Sequence, residues 1–344
     1  MLRISLAVPV RNAARSLPLC LAALERLDPA PAEILLVDNG STDGSLPLLR
    51  AFARERAAER AQVLEEQRRG AAAARNAALR VAKGEVIAFT DADCAPEPAW
   101  LRHLAGPFAD PTVGAVAGRV LPAPATSTLE LFSALYTLRL PDRPARHRCW
   151  TPWEGGYPTA NFAIRRTLAH ELEGFDERLA ISGEDYDLCA RLYARGSEIA
   201  YVPDARVAHF HRTALAGMLR QAFAIGRAHP YLLRRHAACG LWLDFPRRSL
   251  LWKRCPVKAW VDLASADKKV LAILLLAALY GPALVALPLY AGWLAVVAAR
   301  RARDAGSPVS PWAALTLAGL LVLKSAAMTA GRWWGSLKYE AVCV

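Results

Sequence analysis

Val86-Ile87-Ala88-Phe89-Thr90-Asp91-Ala92-Asp93 runs from an uninterrupted apolar stretch straight into two carboxylates. A short run without polar alternation fits a strand covered on both faces, as in a parallel sheet flanked by helices. The same pattern occurs upstream. Residues 34–37 are apolar and end in Asp38-Asn39-Gly40-Ser41-Thr42-Asp43, and residues 4–8 form another apolar run. Helical spacing fills the intervals. Residues 16–27 have Ser16 as a candidate N-cap, 45–60 place Leu48, Leu49 and Phe52 on one face, and 71–81 are Ala-rich. A weak strand falls near residues 63–64. With turns at Asn39-Gly40 and Lys83-Gly84, this alternation predicts a parallel α/β sheet. Ligands of such sheets lie beyond the carboxyl ends of the strands, where the aspartates gather.

Further along, residues 141–150, rich in Pro and Arg, read as a loop. Residues 184–195 read as a helix with Glu184, Asp185 and Asp187 in its first turn and Arg191 and Arg195 in its last, which suits the helix dipole.

The chain has 344 residues, enough for a sizeable core, and a formal net charge of +12. The surplus is uneven. Residues 1–204 hold 24 basic and 26 acidic side chains, 205–269 hold 13 and 3, and 300–344 hold 6 and 2. A slightly acidic first part excludes a basic nucleic-acid-binding domain there, and no nucleic-acid partner is expected. Seven cysteines without a CxxC pair argue against a disulfide framework or structural zinc and suit a reducing compartment. The start, MLRISLAVPV, reads as a buried first strand, not a signal peptide.

The C-terminal third is different. Residues 270–299 carry no charge, and 311–331 carry only Lys324. About 20 apolar residues suffice to cross a bilayer. Pro282 and Pro288 would kink the first segment or turn it back. Seven Lys/Arg in 247–269 place that side in the cytosol, and Arg300, Arg301 and Arg303 favour the same side. A single crossing satisfies one group, a re-entrant segment both. The expected organisation is a catalytic domain over 1–212, a basic interfacial helical segment over 213–269, two hydrophobic membrane segments over 270–331, and a tail over 332–344.

Two carboxylates spaced as in Asp91-Ala92-Asp93 suit a hard divalent cation that bridges a diphosphate. Standing alone the pair also fits a helix N-cap, since Glu97 and Pro98 follow. It does not stand alone. Val8-Pro9-Val10-Arg11-Asn12, Val37-Asp38-Asn39-Gly40-Ser41-Thr42-Asp43-Gly44, Gly70 with Ala74-Arg75-Asn76, Phe89-Thr90-Asp91-Ala92-Asp93, Pro158-Thr159-Ala160-Asn161 with Arg165, Gly174-Phe175-Asp176-Glu177 and Gly183-Glu184-Asp185-Tyr186-Asp187-Leu188 follow in order. Over about 1–212 this resembles the membrane-associated bacterial family 2 glycosyltransferases of the GT-A fold. The resemblance implies a Rossmann-like nucleotide-binding half and an acceptor half on a mixed sheet, with C-terminal transmembrane or membrane-associated helices.

It also implies roles. Pro9, Arg11, Asp38, Arg75 and Asp91 would bind the nucleotide donor. Asp43 would join them or merely close its turn. Thr159 and Asn161 would line the acceptor and sugar pocket. Asp185 would be the catalytic base, with Glu184 beside it raising its pKa. Asp93 and His209 would hold Mn2+ or Mg2+. His211, two residues on in a strand, would face the same way. Arg220-Gln221 and Gly226-Arg227 sit where membrane-embedded relatives carry Q-x-x-R-W. The Trp is missing and the spacing differs, which argues against a processive, polymer-making activity.

The resulting expectation is an inverting transferase on the cytoplasmic face of the cell membrane. It would take a UDP-, GDP- or dTDP-sugar and a lipid or lipid-linked acceptor for envelope polysaccharide or glycolipid. A nucleotidyl or sugar-phosphate transferase of similar fold is the alternative and would release pyrophosphate. A non-enzymatic basic membrane-surface or nucleic-acid-binding protein is the third reading.

Overall fold

The computed structural model describes residues 2–55, 60–137, 141–151, 155–179, 182–211, 213–245, 248–253 and 255–344, apart from the Arg248 side chain. The chain divides into two compact units, residues 1–124 with 138–211, and residues 125–137 with 212–344.

The first unit is built on β1 (Ile4–Val10), β2 (Glu33–Asp38), β3 (Ala61–Glu65), β4 (Val86–Thr90), β5 (Cys94–Pro96), β6 (Val113–Pro122), β7 (Ala145–His147), β8 (Asn161–Arg165) and β9 (Glu198–His209). Among the described residues they form one sheet in the order β3-β2-β1-β4-β8-β6-β9-β5, with β7 on β9. The half β3-β2-β1-β4 is parallel. Beyond it β8 runs antiparallel to β4 and β6, so the sheet is mixed.

Period-2 alternation sorts side chains between two cores. Leu6, Val8, Leu36 and Ala88 meet α1 (Leu17–Glu25), α2 (Ser45–Glu55) and α4 (Trp100–Ala105). Ala7, Leu35, Val37, Ile87 and Phe89 meet α3 (Ala71–Val81), α6 (Arg166–Glu171) and α7 (Glu184–Ala194). A Leu such as Leu6, fully buried, contributes about 1.5–3 kcal/mol over its exposed state.

Most expected elements are present. Ser16 does not cap α1: its backbone is helical and its hydroxyl donates to the Ala13 carbonyl. Helix α2 is seen to Glu55, and residues 56–59 of its expected length lie outside the described residues. The loop expected over 141–150 contains β7, because its backbone completes pairing on β9.

The second unit departs further from expectation. It contains α5 (Thr128–Tyr136), α8 (Leu215–His236), β10 (Gly240–Phe245), β11 (Arg248–Trp252), β12 (Lys258–Asp262), α9 (Ala266–Leu279), α10 (Ala286–Asp304), α11 (Pro311–Tyr339) and β13 (Val342–Cys343). Within 213–269, α8 is followed by β10, β11 and β12, and α9 begins at Ala266; with β13 from the end of the chain these strands pair in the order β11-β10-β12-β13. Residues 332–344 are no separate tail: α11 runs to Tyr339 and β13 joins β12. Helix α5, placed by sequence in the catalytic domain, belongs here, since Phe132 and Leu135 pack with Ala298, Ala302 and Leu317. The expected boundary residue Arg212 lies outside the described residues.

The uncharged run 270–299 is broken in the middle. α9 ends at Leu279, a 3-10 turn covers Gly281–Val285, and α10 follows. Two helical stretches, Gly281–Asp304 and Pro311–Tyr339, are long and apolar enough to cross a membrane.

Candidate active site

Loops at the carboxyl ends of β1, β2 and β3 are tied together by short polar side chains. Asn12 accepts from the Thr42 N–H at 2.8 Å, and its own N–H donates to Ser41 Oγ. Asn39, buried, donates to the Glu66 and Arg68 carbonyls and accepts from the Gly70 N–H. It thereby fixes the loop that leads into α3. Asn76 on α3 accepts from the Phe175 N–H and donates to the Phe175 carbonyl. Gly174 there has φ +70°, and a Cβ would meet Asn76 Oδ1 at 2.4 Å. Arg191 donates to the Gly174 and Leu172 carbonyls, which holds α7 to the same loop. Sequence reasoning gave Asn12 and Asn76 only as parts of motifs and Asn39 only as a turn residue. Their bonds are long-range and carry no periodic signal.

Asp38 at the end of β2 accepts from the Gly40 and Ser41 N–H groups through Oδ2. Its Oδ1 is buried without a protein partner. A buried carboxylate oxygen with no donor is costly unless a ligand supplies one. Pro9 sits in β1 opposite Val37, and Arg11 just beyond is exposed.

Asp91, Glu184 and Asp185 gather around Arg75. This arginine is 4% exposed. It donates to Glu184 Oε1 at 2.7 Å and to Asp91 Oδ1 at 2.9 Å. The first-turn position of Glu184 and Asp185 on α7 brings them here. Burial pushes the Asp185 carboxyl up to about 7, the Glu184 charge adds to the rise, and the Arg75 charge opposes it. A carboxyl at that value is divided between acid and base near neutral pH. Glu184 Oε2 is buried without a partner.

His209 reaches this edge because β5 pairs antiparallel with β9, with Cys94 opposite His209. His209 Nε2 lies 3.7 Å from Asp93 Oδ1. His209 and His211 face each other, with Nδ1 atoms 3.3 Å apart. Asp93, Cys94 and His209 offer ligand atoms within 4.8 Å of one another. Burial, with the Asp93 and Asp91 charges, pushes the Cys94 thiol well up, and the thiol faces Asp93 Oδ1 at 3.8 Å; the Asp93 carboxylate and the His209 imidazole are the hard and borderline donors of the group. That set fits a hard or borderline divalent cation with open positions.

Asn161, Thr159 and Arg75 sit otherwise than expected, and Asp43 takes the turn-closing one of its two expected roles. Asn161 is fully buried and spent on the fold: it accepts from Trp100 Nε1 and donates to the Arg119 and Ala205 carbonyls. Gly118 leaves the room, since a Cβ there would lie 2.4 Å from Asn161 Oδ1. Thr159 is 2% exposed. Neither side chain lines an open pocket. Asp43 bonds Ser45 N–H, Ser45 Oγ and the Ala14 N–H, so it holds a turn and the start of α2. Arg75, expected at the nucleotide, has its two terminal nitrogens committed to carboxylates. We predict that Asn161→Ala, by stranding the Trp100 N–H and two carbonyls, lowers stability by about 2–4 kcal/mol in thermal or denaturant unfolding.

The mixed sheet and the acidic edge at its carboxyl ends define a GT-A glycosyltransferase fold. The mannosyltransferase PcManGT from Pyrobaculum calidifontis, solved with GDP-Man and Mn2+, superimposes with a TM-score of 0.56 at 24% identity, over 98% of this chain and 88% of that one. Residues 5–173 match the model of Glycosyl transferase family 2 and belong to that family. The pre-mycofactocin glycosyltransferase of Mycobacterium tuberculosis is 32% identical over 67% of this chain and 48% of its own length. Glycosyltransferase AglE of Haloferax volcanii is 26% identical over 70% of this chain and 79% of its own. The chain spans about half the length of the mycobacterial relatives it matches.

Proposed function

We propose that this protein transfers a sugar, with inversion, from a nucleotide sugar to a hydroxyl of a lipid or lipid-linked acceptor. It does so at the cytoplasmic face of a membrane. The observation that carries the reading is the cluster Asp91–Arg75–Glu184–Asp185 beside the Asp93–His209 pair, at the sheet edge where α/β folds take ligands. The neighbour solved with GDP-Man and Mn2+ and the envelope-glycan names among the relatives are in keeping with it.

Asp38 Oδ1 accepts a hydrogen bond from the base, and Pro9 and Arg11 flank the nucleotide. Asp91, held by Arg75, orients the donor sugar or ribose. Asp93 and His209 would hold Mn2+ or Mg2+, which supplies positive charge to the diphosphate as it leaves. Asp185 accepts the proton of the attacking acceptor hydroxyl, opposite the leaving group. Burial, with the Glu184 charge adding to it, keeps the Asp185 pKa high enough for that transfer near neutral pH.

The test is a screen of the full chain against UDP-, GDP- and dTDP-sugars with Mn2+ or Mg2+. A specific donor raises the unfolding temperature, and turnover releases a nucleoside diphosphate. Release of pyrophosphate would instead favour a nucleotidyl transferase. EDTA is expected to abolish turnover and Mn2+ or Mg2+ to restore it. His209→Ala is expected to raise the metal concentration needed by about 10–100-fold, the scale on which lost site interactions act. Full turnover in EDTA would remove the metal from the scheme.

A further inference from the structure

We propose that Zn2+ takes the metal site in a mode of its own, bound by Asp93, Cys94 and His209 together, and that it thereby displaces Mn2+ or Mg2+ and blocks transfer. This rests on the Asp93–His209 metal site proposed above. The juxtaposition that carries it is a thiol, a carboxylate and an imidazole meeting where β5 pairs with β9.

Cys94 lies directly opposite His209 in that antiparallel ladder. Directly opposed residues send their side chains to the same face, with Cβ atoms about 4.5–5.5 Å apart. Asp93 closes the triangle: its Oδ1 is 3.8 Å from Cys94 Sγ and 3.7 Å from His209 Nε2. All three ligand atoms lie within 4.8 Å of one another. A tetrahedral Zn2+, with bonds of about 2.3 Å to sulfur and about 2.0–2.1 Å to nitrogen or oxygen, has edges of about 3.3–3.5 Å. The two measured edges need only a slight contraction to match. His209 Nδ1 lies 3.3 Å from His211 Nδ1, which holds the ring with Nε2 toward Asp93.

The donor set separates the metals. Asp91, the first aspartate of the pair, is engaged by Arg75 at 2.9 Å. A hard cation therefore finds one carboxylate and one imidazole here and keeps its other positions for water and the phosphates of the donor. Mn2+ and Mg2+ gain little from a thiol. Zn2+ already exceeds Mn2+ at mixed nitrogen, oxygen and sulfur sites, and soft thiolate ligands select it further. On binding, Cys94 Sγ bonds the ion and the thiol proton goes to water. Cys94 is fully buried, whereas the Asp93 and His209 side chains are 35% and 15% exposed. The ion thus enters past those two and meets the thiol at the floor of the site. Three protein ligands leave a four-coordinate Zn2+ one open position, too few for two oxygens of a diphosphate.

The test uses the reduced, metal-free full chain with Cys149, Cys239 and Cys255, none of them buried, changed to Ser. Cd2+ replaces Zn2+ as a spectroscopic probe, and the ultraviolet thiolate-to-metal absorption is read. One equivalent is expected to saturate the band. Cys94→Ser is expected to abolish it, as is His209→Ala, which leaves the thiol in place. No band in the parent, or an undiminished band in either variant, overturns the proposal. Binding of Mn2+ is followed by loss of its free-ion EPR signal, and Zn2+ is expected to release it. Cys94→Ser should weaken Zn2+ binding by about 100-fold or more, the upper end of what even an outer-shell partner contributes, and Mn2+ binding by less than about threefold. Equal weakening of both would overturn the selectivity assigned to the thiol. A parent that shows the Cd2+ band but binds no Mn2+ would remove the Mn2+ or Mg2+ reading of the site and leave the thiol site standing. Zn2+ is expected to inhibit Mn2+-supported turnover; full turnover with Zn2+ alone would overturn its blocking role.

Discussion

Asp185→Asn is expected to reduce sugar transfer by about 10²–10⁴-fold, the range over which a positioned general base acts. The fold should not suffer. The Asp185 carboxyl is pushed up to about 7 in the folded chain from an ordinary value of 3.8, so folding penalises its charged form. As pH rises from about 4 to 7, the unfolded chain releases this proton while the folded chain keeps it. The group's contribution to stability therefore falls across that window and levels off above it. Asn carries no such charge. The variant should match or exceed the parent in unfolding temperature above pH 7, with the difference narrowing toward pH 4. The parent's rate should rise with pH through an apparent pKa near 7. Glu184→Gln removes the neighbouring charge and should move that limb to lower pH. An Asp185→Asn protein with parental kcat/KM would sink the assignment.

The second large effect concerns Arg75. Its guanidinium is buried between Glu184 and Asp91. Arg75→Met leaves Glu184 buried without its cation, and breaking such a pair costs about 3–5 kcal/mol. It also removes the charge that restrains the Asp185 pKa, so whatever activity survives should need higher pH. The double variant Arg75→Met with Glu184→Gln separates stability from function. Neutralising both partners should recover much of the unfolding temperature and little of the activity. Recovery of both would make Arg75 a purely structural residue.

Much of the first unit was legible in the sequence. β4, α3 and α7 lie at or within a residue of their predicted bounds, because apolar runs and Ala-rich or dipole-matched stretches report local preference directly. Asp38, Asp91, Asp93 and Asp185 stood out because they end strands or begin a helix. Asn161 misled for the opposite reason. Its motif places it beside the site, but the Trp100 indole N–H and two carbonyls, from residues 42 and 44 positions away, claim its side chain. No local pattern reveals which partner a buried amide will satisfy.

The second unit was less legible. Tryptophans, leucines and arginines suggested an interfacial helical segment over 213–269, and backbone pairing made strands of its 240–262 part. Hydropathy marked 270–299 and 311–331 as membrane segments, but it scores each residue alone. The sequence by itself determined the parallel half-sheet, the acidic ligand edge and the apolar C-terminal third, since periodicity and composition are local properties. Only the tertiary structure decided that Arg75 bridges Asp91 and Glu184, that Asn161 belongs to the core, and that the C-terminal half of α11 packs backbone to backbone against α8. Each of those depends on contacts between residues far apart in the chain, whose desolvation and pairing energies have no local signature.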